Sequence, residues 1–238
     1  MPEPIIQVKT FEGYPIPDDT TPTTRKTLHQ NILGKLRPLP LLYHWTVWFD
    51  RYTNPADTTD PEKQYTSRQT ILYEDVADIA TFYRVYNNYP WNKIRLRDTV
   101  HIFRKGTKPV WEDPENRLGG CWTFRVPKPL SQQFFHELAI LTIANELQAA
   151  VEGEHDHILG VSTSARFNSY LISVWNKHGS NAASIKILEE TIIKRLSPEL
   201  RPIQNSNSYF YKKHADREGY DEAIRAFTGS SDRASFVS

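Results

Sequence analysis

The chain has 238 residues, enough for one large domain or two small ones. Its 29 lysines and arginines nearly balance 28 aspartates and glutamates, so the net charge of +1 provides no general field for nucleic acid or membrane. The single cysteine excludes an internal disulfide and a cysteine metal cluster, and it fits a reducing, cytoplasmic location. We expect no signal peptide, and no apolar run approaches the roughly 18 residues of a membrane span.

Proline and polar residues dominate residues 1–36, which predicts a flexible N-terminal arm. Residues 37–227 carry the periodic apolar patterns and are predicted to form one domain, while residues 228–238 are predicted to be a flexible tail. The polar segment 51–70 contains Tyr65 and has no periodicity, so it is predicted to be a long exposed loop.

The apolar patterns predict three helices and several strands. The helices are expected from a cap at Asp75 to Tyr86, over residues 131–152, and from a cap at Asn181 to Leu196. Alternation predicts strands near residues 39–49, 98–103, 121–126, 170–175 and 203–211. This mixture predicts an α+β domain with a curved, mainly antiparallel sheet of about eight strands. Three helices are expected on its convex face and a ligand pocket on its concave face.

The stretch from Pro109 to Trp122 combines an aromatic ring with an adjacent carboxylate, followed by a polar turn. Trp111 offers a π-face suited to a planar cation, and Glu112 can accept two parallel N–H donors, the pattern on one edge of guanine. An ordinary hairpin with a core tryptophan and a solvated glutamate would explain the same residues, because short motifs recur by chance.

Five stretches, in order, make the chain resemble the translation initiation factor 4E family, whose members bind the 7-methylguanosine cap of messenger RNA. The resemblance covers roughly residues 38–216. Its motifs are Trp45-Thr-Val-Trp48-Phe49, Phe82-Tyr83-Arg-Val-Tyr86-Asn87, the Pro109 to Trp122 block, Arg166 with Ile172-Ser-Val-Trp175, and His214-Ala215-Asp216.

The resemblance assigns a role in cap binding to four residues. Trp111 and Tyr65 would stack on the two faces of the base, Glu112 would pair with its N1 and N2 hydrogens, and Trp175 would lie against the N7-methyl group. A tyrosine at position 65 resembles the 4E-homologous-protein subclass, whereas Trp45 does not, so the subclass is mixed. In an ordinary reading, Trp111 and Trp175 belong to the core, Tyr65 is an idle loop residue, and Glu112 is a surface carboxylate.

For the phosphates, the resemblance implies Arg166, helped by Lys212 or Lys213. Basic positions of the standard factor hold Cys121, Asn168 and Leu171 here. We therefore expect weaker cap binding and a smaller salt dependence than in the standard factor. Arg166 as a solvated charge is the alternative interpretation.

The resemblance also implies a protein partner, either a scaffold initiation factor or a 4E-binding protein. A helix of such a partner, with the pattern Tyr-x-x-x-x-Leu-aliphatic, would lie in a groove on the helical face. We expect the chain to be monomeric apart from this partner. The positions implied are Pro40, Ile79, Tyr83, Glu137 and Ile140. Ile79 and Ile140 are equally compatible with ordinary core packing.

Three functions follow from these patterns: a cap-binding module without catalysis or cofactor, an enzyme, and an adapter whose pocket has decayed. For an enzyme, acid–base chemistry would fall to four histidines, but none of the common catalytic motifs is present. The histidines are His44, His101, His136 and His214. Within the first function, an initiator and a translational repressor of the 4E-homologous type with weakened cap binding both remain open.

Overall fold

Within the residues that the structure describes, seven antiparallel strands form one sheet. The computed structural model describes residues 39–52, 69–203, 207–222 and 224–225. The strands are β1 (Pro40–Asp50), β2 (Gln69–Asp78), β3 (Thr99–Arg104), β4 (Gly120–Pro127), β5 (Ile158–Ala165), β6 (Ser169–Asn176) and β7 (Tyr209–Lys213). Their order across the sheet is β2-β1-β3-β5-β6-β4-β7.

The described part of the chain also contains four α-helices: α1 (Ile79–Asn88), α2 (Lys128–Ile143), α3 (Glu146–Val151) and α4 (Ala182–Arg195). Short 3-10 turns occupy Trp91–Lys93, Glu152–Glu154 and Pro198–Leu200. The side chain of Asp78 caps α1 by accepting a 2.8 Å hydrogen bond from the backbone N–H of Thr81. Asn181 caps α4 in the same way through the N–H of Ser184, at 3.1 Å. No helix in the described ranges has the length and hydropathy that crossing a membrane requires.

One face of the sheet buries the core against the helices. Because side chains alternate between the faces of a strand, the register aligns an apolar row across five strands of the sheet. The row consists of Val47, Ile102, Val161, Val174 and Trp122. Each α-helix contributes to this same core: Phe82 from α1, Phe135 from α2, Leu147 from α3 and Leu188 from α4.

The opposite face, called here the open face, carries two rows of mixed polar and aromatic residues. One row runs Trp48, His101, Ser162, Ser173 and Thr123, and the next runs Thr46, Phe103, Gly160, Trp175, Cys121 and Lys212. A Cβ at Gly160 would collide with the ring of Phe103. Glycine at this position therefore allows Phe103 and Trp175 to pack against each other across β5.

The α+β class with an antiparallel sheet and helices on one face is confirmed, with seven strands in the described residues rather than about eight. The Asp75 cap was wrong, because β2 continues through Asp75 and the helix begins after Asp78. The helix predicted over residues 131–152 begins at Lys128 and is broken at Asn145, whose φ of 69° is left-handed. The polar residues 162–164, shortly before Arg166, belong to the fully buried strand β5. Residues 1–38, Tyr65 and the tail lie outside the described ranges.

Candidate cap-binding site

Residues 105–119, called here the Trp111 loop, connect β3 to β4 and are held by two side chains. The carboxylate of Asp113 accepts hydrogen bonds from the backbone N–H groups of Lys108 (3.0 Å) and Glu115 (2.9 Å). The fully buried Asn116 donates from Nδ2 to the carbonyl oxygens of Lys108 (2.7 Å) and Val110 (2.6 Å). These hydrogen bonds within the loop fix its backbone without strand pairing, so the backbone position of Trp111 is well defined.

Glu112 is the buried acid of this loop, with only 8 % of its surface exposed. Within the described part of the chain, its Oε2 is a buried acceptor without a hydrogen-bond partner. Burial raises the pKa of Glu112 above its ordinary value, since the charged form loses solvation. An orphaned acceptor of this kind needs a donor to offset its desolvation, and a ligand N–H can supply one.

Trp175 lies half-buried on the open face and is held from two sides. Its Nε1 donates to the Ser162 hydroxyl at 3.2 Å, and its ring packs edge-on against Phe103 at 5.2 Å between centroids. The ring of His214 approaches Trp175 to 4.5 Å. Burial, followed by the charge of Arg217, lowers the pKa of His214 to about 3, so this neighbour is a neutral aromatic ring at physiological pH.

The segment His214–Tyr220, called here the C-terminal segment, connects Trp175 to the Trp111 loop. The backbone N–H of His214 donates to the carbonyl oxygen of Gly119 at 3.0 Å, and the Tyr220 hydroxyl donates to that of Arg117 at 2.5 Å. The Tyr220 ring lies 6.4 Å from that of Trp111, and the guanidinium carbon of Arg217 lies 5.5 Å from the same ring. Sequence reasoning missed Arg217 and Tyr220, although the tripeptide at His214 marks their position.

The three basic residues proposed for phosphate binding are placed differently. Lys212 shares its row with Trp175 and Cys121, whereas Lys213 is the next residue along β7 and alternates to the opposite face. Arg166 follows β5 and donates from Nη1 to the Ser164 hydroxyl (2.6 Å) and to the carbonyl oxygen of Ala165 (2.9 Å). Burial and the nearby Arg97 lower the pKa of Arg166, so the site around it favours an anion.

The helical face holds the residues expected to meet a partner. Tyr83 is 37 % exposed on α1, and its ring lies 5.7 Å from that of His136 on α2. Ile79 and Ile140 are partly buried against the core, while Pro40 is exposed at the start of β1. Although burial opposes it, hydrogen bonds from the N–H and hydroxyl of Ser197 lower the pKa of Glu137. Glu137 is therefore ionised and already bonded within the chain.

Comparison with known proteins gives consistent results. Residues 40–226 match the family model described as Eukaryotic initiation factor 4E. The chain is 28 % identical over 204 residues to the eukaryotic translation initiation factor NCBP of Oryza sativa subsp. japonica, covering 85 % of this chain and 83 % of the relative. It is 28 % identical over 158 residues to the NCBP of Arabidopsis thaliana, covering 66 % and 67 %.

Solved structures confirm the fold. The structure of C. elegans eIF4E-3 in complex with the 4E-binding protein Mextli and a cap analogue matches with a TM-score of 0.62 and 19 % identity, covering 76 % of this chain and 95 % of that one. Ascaris suum eIF4E-3 in complex with an m2,2,7G cap matches with a TM-score of 0.61 and 20 % identity, covering 76 % and 94 %. The resemblance seen in the five sequence motifs is therefore confirmed, and the chain belongs to the eukaryotic initiation factor 4E family.

Proposed function

We propose that the protein binds the 7-methylguanosine cap of messenger RNA and takes part in translation initiation or its regulation. The observation that carries this proposal is the pairing of Trp111, a half-exposed ring, with Glu112, a buried acid whose Oε2 lacks a donor within the described residues. A planar cation with two N–H donors on one edge matches both groups. Guanine methylated at N7 has this combination.

The charge that N7-methylation adds explains why such a site would select methylated over unmethylated guanine. Methylation makes the guanine ring cationic, and a cation over an aromatic face gains electrostatic as well as dispersion energy, about 1–3 kcal/mol per stacked face. Glu112 adds two parallel charge-assisted hydrogen bonds to N1–H and N2–H. In this arrangement Trp175 lies against the N7-methyl group. Trp175 is on the open face, and the C-terminal segment links it to the Trp111 loop, because His214 contacts Trp175 and Tyr220 contacts Trp111.

The second stacking residue in this proposal is Tyr65. Support comes from Gln69, four residues later in the chain, whose Nε2 donates a 3.4 Å hydrogen bond to the carbonyl oxygen of Pro109. Since Pro109 precedes Trp111 by two residues, this bond anchors Gln69 beside the Trp111 loop. A tyrosine stacks over less area than a tryptophan, so we expect modest affinity.

The proposed partner is a protein helix that packs on the helical face, supplied by a scaffold initiation factor or a 4E-binding protein. Two observations support it: the exposed ring of Tyr83 beside partly buried apolar residues, and the 4E-binding protein present in the C. elegans neighbour. A translational repressor of the 4E-homologous type is the second candidate. The tyrosine at position 65 favours it, because the standard factor has a tryptophan there.

The activity we propose is binding without catalysis or a cofactor, in the cytoplasm. Burial lowers the pKa of His101 to about 3, and the pKa of His214 is equally low, so two of the four candidate histidines are not poised for proton transfer near neutral pH. The single cysteine is buried and free, which suits a reducing compartment.

Retention on 7-methyl-GTP resin tests the proposal. The wild-type protein should be retained and eluted by free 7-methyl-GTP, while Trp111→Ala should pass through. Trp91→Phe, a change in an indole that packs against Tyr86 and Tyr89 on the other face of the sheet, is the matched control and should be retained. Failure of the folded wild-type protein to bind the resin would favour an adapter with a decayed pocket.

A further inference from the structure

Arg217 contacts two regions of the proposed cap site, the Trp111 ring and the row of the open face that contains Cys121 and Trp175. Its guanidinium carbon lies 5.5 Å from the centroid of the Trp111 ring, and its Nη2 lies 3.1 Å from Cys121 Sγ. Cys121 pairs with Trp175 on one side and Lys212 on the other, so this contact brings the Arg217 guanidinium to the row that carries Trp175. The sequence motifs gave no role to Arg217.

The charge of Arg217 is not neutralised by an ion pair with a carboxylate in the described ranges. In the described ranges, its side chain contacts the aromatic ring of Trp111 and the thiol of a buried cysteine, Cys121. A thiol is a weak acceptor, and a guanidinium has five N–H donors, so most of its capacity for strong hydrogen bonds is not used by these contacts. A half-buried cation in this state favours the approach of an anion.

This position has a consequence for any cationic ligand of Trp111. A methylated guanine stacked on that ring brings a positive charge close to the guanidinium, and like charges at such separations repel. A base that carries phosphates brings its own compensating anion. The planar fork of an arginine matches two phosphate oxygens, so the group that disfavours the bare base favours its phosphorylated form.

We propose that Arg217 contacts the ligand's phosphate and contributes to the preference of the site for a phosphorylated 7-methylguanine over the nucleoside. This inference rests on the proposed cap-binding function and names a specificity residue within it. Arg217 thereby supplies, from the C-terminal segment, a positive charge beside Cys121. The Cys121 position itself offers no charge for this purpose.

A purely structural role would give a different pattern. If Arg217 only fastened the C-terminal segment to Trp111 through a cation–π contact, its removal would loosen the site for every ligand equally. The ratio of affinities for 7-methyl-GTP and 7-methylguanosine separates the two roles, because the two ligands share the base and differ in the phosphates.

The test is a tryptophan-fluorescence titration of the full chain with 7-methyl-GTP, 7-methylguanosine and GTP, at two salt concentrations. The variants are Arg217→Ala, Arg217→Lys and the control Arg195→Ala, which removes the same charge from an exposed residue of α4 that pairs with Glu146. Circular dichroism and thermal melting establish that each variant is folded.

We expect Arg217→Ala to lower the 7-methyl-GTP to 7-methylguanosine affinity ratio about tenfold, and to reduce the salt slope by about one counterion. Arg217→Lys should retain part of the ratio, and Arg195→Ala all of it. An unchanged ratio in folded Arg217→Ala, or equal losses for both ligands, would overturn the inference while the wild-type preference for 7-methyl-GTP over GTP still stood. Loss of that wild-type preference would instead contradict the proposed function.

Discussion

Gln69 Nε2 donates a 3.4 Å hydrogen bond to the carbonyl oxygen of Pro109, which joins the first residue of β2 to the Trp111 loop. These two residues are 40 positions apart in the chain. Tyr65 precedes Gln69 by four residues, a span of at most about 14 Å of extended chain. The bond thus places Gln69, which follows the segment with the proposed second stacking residue, beside the loop that carries Trp111.

Tyr65→Ala should therefore weaken 7-methyl-GTP binding. Loss of one stacked face corresponds to about 1–3 kcal/mol, and the smaller tyrosine ring argues for the lower end, about 5- to 10-fold. Tyr65→Trp should strengthen binding. Fluorescence titration measures both effects, with Tyr73→Ala as control because Tyr73 is an exposed tyrosine of β2. Equal affinities for wild type and Tyr65→Ala would remove Tyr65 from the site.

Glu112→Gln should stabilise the folded protein and impair its function. The buried Oε2 of Glu112 lacks a hydrogen-bond partner in the described structure, and a neutral amide removes the cost of burying a charge there. We expect a gain of about 1 kcal/mol, or a rise in Tm of about 2–4 °C. Affinity for 7-methyl-GTP should fall at least about tenfold, since an amide N–H would face the ligand's own donors. A destabilised variant would show that Glu112 has a structural partner.

The pH dependence follows from the raised pKa of Glu112, which burial causes. Because the folded state binds this proton more tightly than the unfolded state, Glu112 makes stability fall as pH rises from its ordinary pKa through the raised value. The advantage of Glu112→Gln should therefore be largest at neutral pH and shrink in acid. Wild-type affinity should decline as pH falls through the raised pKa. Melting and titration between pH 4 and pH 8 measure the two trends, and a stability difference that grows in acid would contradict the assignment.

Lys212→Ala and Lys213→Ala form a matched pair of adjacent substitutions. Lys212 lies in the row of Trp175 on the open face, and Lys213 alternates to the other face. Only Lys212→Ala should weaken 7-methyl-GTP binding, by about 3- to 10-fold at low salt, and it should flatten the salt dependence. Isothermal titration at two salt concentrations distinguishes them. Equal effects of the two substitutions would mean that the lysines act through net charge alone.

Tyr83→Ala should reduce binding of a helical peptide with the pattern Tyr-x-x-x-x-Leu-aliphatic, without changing affinity for 7-methyl-GTP. The exposed Tyr83 ring lies against Phe82 and His136, so its removal deletes contact area on the helical face and leaves the open face intact. We expect a loss of about 1–2 kcal/mol, or 5- to 30-fold. Leu118→Ala removes an exposed apolar side chain from the Trp111 loop and serves as control. Unchanged peptide binding in Tyr83→Ala would move the partner surface elsewhere.

The parts of the fold that could be predicted are those where one local signal dominates. Strict alternation in β1 places Trp45 and Val47 in the core and Thr46 on the opposite face, as expected. Asn181 caps α4 because its side chain is the first acceptor before a helical apolar pattern. The Trp111 loop was recognisable from its polar turn and the two glycines that follow, and Asp113 and Asn116 of that turn make hydrogen bonds within the loop itself.

The remaining parts depended on contacts between distant residues. β5 contains the polar residues 162–164 yet is fully buried, because Ser162 bonds to Trp175 and Ser164 bonds to Thr99 across the sheet. No local pattern shows that such serines are satisfied by partners elsewhere in the chain. The contact of Arg217 with Trp111 likewise joins residues more than 100 positions apart, which periodicity does not register.

Titration of the wild-type protein with 7-methyl-GTP and with unmethylated GTP, under the same salt and pH, tests the central claim most directly. The two ligands carry the same phosphates and the same hydrogen-bonding edge, and they differ in the charge that methylation places on the ring. Stacking of a cation on Trp111 predicts at least about tenfold tighter binding of 7-methyl-GTP. Equal affinity for the two nucleotides would contradict the account.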